Sequence, residues 1–127
     1  MRLRTGGRVA GEIVSGAGKG AEGADVTVKT LSGATVTVKL GAKKDGTIVA
    51  AHSTLMFQAG AFAGSPINPG CMCGFALYDI ENIDVLGYDV VSNRPKVAAY
   101  RAPGAPIASF AVESALDDLA AKLGMDP

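Results

Sequence analysis

Asp25-Val-Thr-Val-Lys29 and Thr35-Val-Thr-Val-Lys-Leu40 decide how this chain folds. In both, valine alternates with threonine or lysine. That is the period of a strand that turns one face to a core and the other to water. Leu31-Ser-Gly33 lies between them and suits a tight hairpin connection. The echo makes two similar strands of one sheet, and a single echo is too little for a repeat architecture. Lys43-Lys-Asp-Gly46 then reads as a second turn, with glycine taking the left-handed position.

Downstream, Thr47 to Ala59 reads as a long strand. One face carries Val49, Ala51, Leu55 and Phe57; the other carries Ile48, Ala50, His52, Met56 and Gln58. Apolar residues on both faces predict cover on both sides. Gly60-Ala-Phe-Ala-Gly64 and Ser65-Pro-Ile-Asn-Pro-Gly70 break the pattern and read as a loop. The apolar residues 71–78 read as a short helix. Ile83 to Val91 reads as another strand, with Leu86, Tyr88 and Val90 on one face and Ile83 and Val85 on the other. Gly87 and Asp89 interrupt that second face, and Ser92-Asn-Arg-Pro95 ends the strand. The last element has a helical period: Val112, Leu116, Leu119 and Leu123 form one stripe, and Asp117, Asp118 and Lys122 lie off it. Pro106 suits a first-turn position, Gly124 suits a C-terminal stop, and Pro127 prevents continuation.

This order predicts an α+β fold: antiparallel β-hairpins and a long strand packed with a C-terminal amphipathic helix, rather than a βαβ parallel sheet. Residues 1–24, rich in glycine and alanine, read as a loop or arm.

The chain has 127 residues, enough for one domain, and 48% of them are apolar, enough for a core. No apolar run is long enough to span a bilayer, and the first residues lack an apolar signal-peptide region. Cys71 and Cys73 are too near in sequence for an unstrained disulfide, so free thiols in a reducing cytoplasm are expected. Twelve basic residues balance twelve acidic ones. That neutrality, with few aromatics, argues against nucleic acid and anionic membranes as partners. The charge is divided: residues 1–50 hold 8 basic and 4 acidic residues, and residues 51–127 the reverse.

Several motifs carry little chemistry. Gly18-Lys-Gly-Ala-Glu-Gly23 matches a dinucleotide fingerprint in letters only, because a strand follows it where a helix is needed. As a P-loop it fails at Ile13 and at Gly20. Cys71, Cys73 and a distant His52 are too few ligands for a closed zinc site. His52 reads as a packed histidine, and no elbow motif supplies a serine for a triad. Asp117 and Asp118, adjacent on a helix, point apart. The exception is Val97-Ala-Ala-Tyr-Arg-Ala-Pro-Gly-Ala-Pro106. Small residues there admit a ligand to the backbone, Arg101 brings five rigid donors, and the following helix brings a positive dipole end. A stiff turn with a surface arginine accounts for the same residues equally well.

Residues 34–127 resemble the molybdopterin-binding large subunit of the molybdenum hydroxylases, the xanthine dehydrogenase and aldehyde oxidase family. The matching pieces are Lys39-Leu-Gly-Ala-Lys-Lys-Asp-Gly46, Gly60-Ala-Phe62, Tyr78-Asp-Ile-Glu-Asn82, Val90-Val-Ser-Asn-Arg-Pro95, Ala99-Tyr-Arg-Ala-Pro-Gly-Ala-Pro106, Glu113-Ser-Ala-Leu-Asp117 and Leu123-Gly-Met-Asp-Pro127. Residues 1–33 match nothing in that pattern. The resemblance implies oxidation of a carbon centre with oxygen from water, at molybdenum held by a pyranopterin. It implies that Tyr100, Arg101, Ala102, Pro103 and Gly104 line the cofactor pocket. Ala102 stands where carbon-monoxide-oxidising relatives have cysteine, and Pro103 where purine-oxidising relatives have a stacking phenylalanine. No Lys or Arg occurs from Asp45 to Asn93, where those purine enzymes keep a substrate-binding arginine. An aldehyde or a less polar ring therefore fits better than a purine. Ile107 replaces the glutamine common after the loop proline.

The family's upstream glycine loop and downstream catalytic glutamate are not in this sequence. The resemblance therefore implies a fragment: inactive alone, binding no molybdopterin by itself, and partnered by the remainder of the large subunit and by iron–sulfur and FAD subunits or domains. Surfaces that the parent covers predict self-association into a homo-oligomer. The competing reading is a stand-alone, non-catalytic α+β binding or oligomerisation module.

Overall fold

The computed structural model describes residues 22–30 and 33–127. The arm read over residues 1–24 lies largely outside them. Its last residues, from Glu22, already belong to the first strand.

Four strands and two helices follow in the order β1 (Glu22–Lys29), β2 (Thr35–Ala42), β3 (Ile48–Gly60), α1 (Ile67–Cys73), β4 (Asn82–Val91) and α2 (Ala105–Leu123). The sheet order is β1-β2-β3-β4. β1 and β2 pair antiparallel with Val26 opposite Val38, and β2 and β3 with Val36 opposite Leu55, so the alternation read from sequence sets the register. Gly46 takes φ +89° in the β2–β3 turn, where the Asp45 carboxylate accepts the Thr47 amide at 2.9 Å.

The last pairing departs from the antiparallel expectation. β4 runs parallel to β3, with Ser53 opposite Val85 and Leu55 opposite Gly87. Parallel neighbours need a long crossover, and residues 61–81 supply it with α1 inside. That helix starts within the stretch read as a loop and ends at Cys73, inside the stretch 71–78 read as a helix. The reason is local: Pro69 is its third residue, where the missing N–H has no intrahelical acceptor to lose. The α+β class stands, as a mixed sheet with one βαβ unit at its edge.

α2 packs on β1 and β2, and α1 packs on α2, β3 and β4. They share one core with Val36, Val38, Leu40, Ala51, Leu55, Phe57 and Val85 from the sheet. Each fully buried valine or leucine there contributes about 1.5–3 kcal/mol. α2 buries Ala108, Ala111, Val112, Ala115 and Leu119. Its stripe is thus mostly alanine, which brings the helix close, while Leu116 and Leu123 are only half-buried. Pro106 sits in its first turn and Gly124 caps it at φ +68°.

The second face of β3 is covered only in part. Ala50 and His52 are buried there, but Met56 is exposed. The residues that interrupt β4 are explained by what lies above them. A Cβ on Gly87 would come within 2.6 Å of Cys71 Sγ and 3.0 Å of Ile67 Cγ1, so glycine lets α1 reach the sheet.

Candidate functional site: the Arg101 loop

Leaving β4, the chain doubles back over the end of β3. Ser92 N donates to Gly60 O at 2.9 Å, Ala61 N to Arg94 O at 2.9 Å, and Val97 N to Ala59 O at 3.0 Å. Gly60 is required there: at φ +83° its Cβ would fall 2.2 Å from Pro95 O. Residues 98–102 then project into solvent, and Tyr100 is 89% exposed. Pro103 is half-buried, and Gly104 is buried at φ +83°. A Cβ at Gly104 would lie 2.2 Å from Pro66 O and 2.9 Å from Gly70 N, so only glycine seats this turn on the start of α1.

Two features of the loop bear on chemistry. Ala102 has φ +51°, the one left-handed non-glycine among the described residues. An L-residue there costs about 1–2 kcal/mol, and such strain gathers at functional sites. Arg101 is exposed and, among the described residues, has no ion pair or side-chain hydrogen bond. Its five donors are free for an incoming acceptor. The helix N-terminus contributes less than the sequence suggested. Ala105 N donates to Ala102 O at 3.2 Å and Ala108 N to Gly104 O at 3.2 Å, while Pro106 has no N–H. Among the first-turn amides only that of Ile107 keeps no backbone partner.

The cleft of about 310 Å³ between α1 and β4, lined by Cys71, Met72, Phe75 and Ile83, does not include the loop. Nor does the cleft of about 270 Å³ beside Tyr78 and the end of α2. Residues 100–102 therefore form a projecting wall, with Pro103 and Gly104 as its base, rather than the lining of either cleft.

His52 is buried, with Nδ1 3.1 Å from Asp84 Oδ2 and Nε2 3.0 Å from Thr54 Oγ1. Carboxylate, imidazole and hydroxyl stand in the order of an activated nucleophile. Thr54, however, is mid-strand between Thr37 and Leu86, where the ladder occupies the surrounding amides and leaves no donors for an oxyanion. The trio pins β4 to β3. Sequence reading missed Asp84 and Thr54. Strand alternation puts Thr54 two residues from His52 on one face, a signal that reading did not use, and only the parallel register reveals Asp84. Cys71 is buried in the core, and burial pushes its thiol pKa up; Cys73 is half-buried, and both are free thiols.

These features describe an α+β domain that offers an unpaired guanidinium and a strained turn at one end of its sheet. The sequence profile of the molybdopterin cofactor-binding domain matches residues 26–127, and the chain belongs to that family, of the xanthine dehydrogenase and aldehyde oxidase type. It is 42% identical over 93 residues to the aldehyde oxidoreductase of Megalodesulfovibrio gigas, covering 71% of this chain and 10% of that protein. It is 33% identical over 96 residues to the nicotinate dehydrogenase large molybdopterin subunit of Eubacterium barkeri, covering 73% of this chain and 23% of that one. The crystal structure of the aldehyde oxidoreductase from Desulfovibrio desulfuricans superposes with a TM-score of 0.69 at 33% identity, over 74% of this chain and 11% of that one. The chain thus spans about a tenth of the length of the aldehyde oxidoreductases it matches.

Proposed function

We propose that this domain supplies one wall of the cofactor pocket in a molybdenum hydroxylase large subunit, with Tyr100, Arg101, Ala102, Pro103 and Gly104 facing molybdopterin. The observation that carries this is the free Arg101 guanidinium on a strained, small-residue turn. The residues fit such a group: its phosphate and oxo oxygens are acceptors, and Arg101 and the Ile107 amide are donors without partners. When bound, the cofactor supplies the two-electron oxidation of carbon with oxygen from water.

This chain's own residues bind and orient. Arg101 offers a planar pair of N–H groups to an oxyanion. Ala102 keeps the backbone bare beside it, Gly104 seats the turn against Pro66, and Tyr100 presents a ring that shields the rim from water. An aldehyde is the favoured substrate class, since Pro103 cannot stack on a purine and no Lys or Arg occurs between Asp45 and Asn93. The catalytic base, the rest of the cofactor cradle, and iron–sulfur and FAD components come from other segments or subunits in a cytoplasmic assembly. Alone, the chain binds no molybdopterin and is not catalytic.

A segment exchange tests this. Residues 26–127 replace the matching part of the Megalodesulfovibrio aldehyde oxidoreductase. The expected result is a chimera that retains molybdenum and oxidises aldehydes, and an Arg101→Ala version about 10²-fold slower. A chimera without molybdenum, or one indifferent to Arg101→Ala, overturns the assignment.

A further inference from the structure

We propose that Asp89 is a positioning residue for the Arg101 loop, acting through the segment Gly64–Pro66. Its relevance to a cofactor rests on the function proposed above; the mechanical link does not.

Asp89 breaks the apolar alternation of β4 near its end, opposite Phe57 in register. Its carboxylate turns to the neighbouring segment. Oδ2 accepts the Gly64 N–H at 2.6 Å, and Oδ1 accepts the Ser65 N–H at 3.0 Å. Two successive amides aimed at one anion form a nest, which Gly64 at φ +107° permits. Bonds of this kind are charge-assisted and stronger than neutral ones. Ser65, then the Gly64 amide and the nearby Lys96 ammonium, hold the Asp89 carboxyl below the usual carboxylate range, so the anion persists through mild acid.

The next residue carries the restraint onward. Pro66 O accepts the Gly70 amide at 3.3 Å and lies where a Cβ of Gly104 would be. Gly104 caps α2 and ends the Arg101 loop. The other end of the loop is fixed by Val97 on Ala59 O. Residues 98–103 therefore hang between two points, the end of β3, which its own ladder holds to β4, and residues 64–66, which the Asp89 side chain fastens to β4. A carboxylate that was merely solvated would leave Gly64 and Ser65 without these acceptors.

Hydrogen exchange on the full 127-residue chain tests the coupling, with Asp89→Ala and the isosteric Asp89→Asn. In the alanine variant the amides of Gly64 and Ser65, and with them those of Ala105 and Ala108, are expected to exchange about tenfold faster, while the β2 amides keep their protection. Asparagine retains one acceptor oxygen and gives a smaller change at the same four sites, which serves if the alanine variant does not fold. Faster exchange at Gly64 and Ser65 alone overturns the link to the loop. A uniform rise that includes β2 overturns it too, since that is loss of global stability. Because no cofactor is present in the measurement, its outcome is separate from that of the segment exchange.

Discussion

Tyr78 shows how a single residue at the edge of the core reports on its surroundings. Its hydroxyl donates to Glu113 Oε1 at 2.5 Å, tying the segment after α1 to α2. Burial first, and then the Glu113 carboxylate, push its pKa up to about 12. The folded protein therefore favours the neutral phenol. In the unfolded chain the phenol ionises near 10, so the stabilisation is complete below that pH and is lost as pH rises through about 12. Urea unfolding between pH 9 and 12 should show a decline on the order of 1–2 kcal/mol that a Tyr78→Phe variant largely lacks. Equal declines in both proteins would remove Tyr78 as the cause. Arg101 lies at the other limit: exposed, and unpaired among the described residues, its guanidinium is open to solvent.

At the scale of elements, the two hairpins and α2 were readable because each rests on local signals. The valine alternation of β1 and β2, Asp45-Gly46, Pro106 and Gly124 all act within a few residues of themselves. α1 and the parallel placement of β4 were not readable. Pro66 and Pro69 look like breakers in sequence, and only the first-turn position of Pro69 makes it compatible with a helix. Gly87 and Asp89 look like faults in a strand until the partners above them are known: Cys71 and Ile67 over one, the Gly64 and Ser65 amides on the other. The candidate loop was legible as a motif. Its seating was not, because the contact of Gly104 with Pro66 joins distant residues. Close approach of α1 to β4 is testable. Gly87→Ala puts a methyl against Cys71 Sγ and should cost about 1–3 kcal/mol. Cys71→Ala removes that sulfur, so the double variant should lose at least about 0.5 kcal/mol less than the sum of the singles. Strict additivity in urea denaturation would show that the sulfur is not what Gly87 accommodates.

The whole molecule leaves one side of its sheet open. β4 ends the strand order, and no described strand pairs with its outer edge. Edge strands of this length are usually blunted by charge or cover, because their free N–H and C=O groups pair with other chains. Here β4 exposes Ile83 and Val91 at its two ends, and Ile83 and the exposed Met72 of α1 line the cleft between α1 and β4. In a protein about ten times longer, other segments have room to cover such a flank. In the isolated chain the available cover is a second copy, and a two-fold axis through β4 joins two four-stranded sheets into one of eight. Sedimentation equilibrium should therefore show a concentration-dependent dimer. Ile83→Lys places a charge on the open edge without entering the core, and should weaken the dimer at least about tenfold while leaving the unfolding midpoint of dilute protein nearly unchanged. A parent chain that stays monomeric at millimolar concentration, or a lysine variant that dimerises as well as the parent, would place the association elsewhere or deny it. The same edge would then have to be stable to water by itself, and its apolar flank would need another explanation.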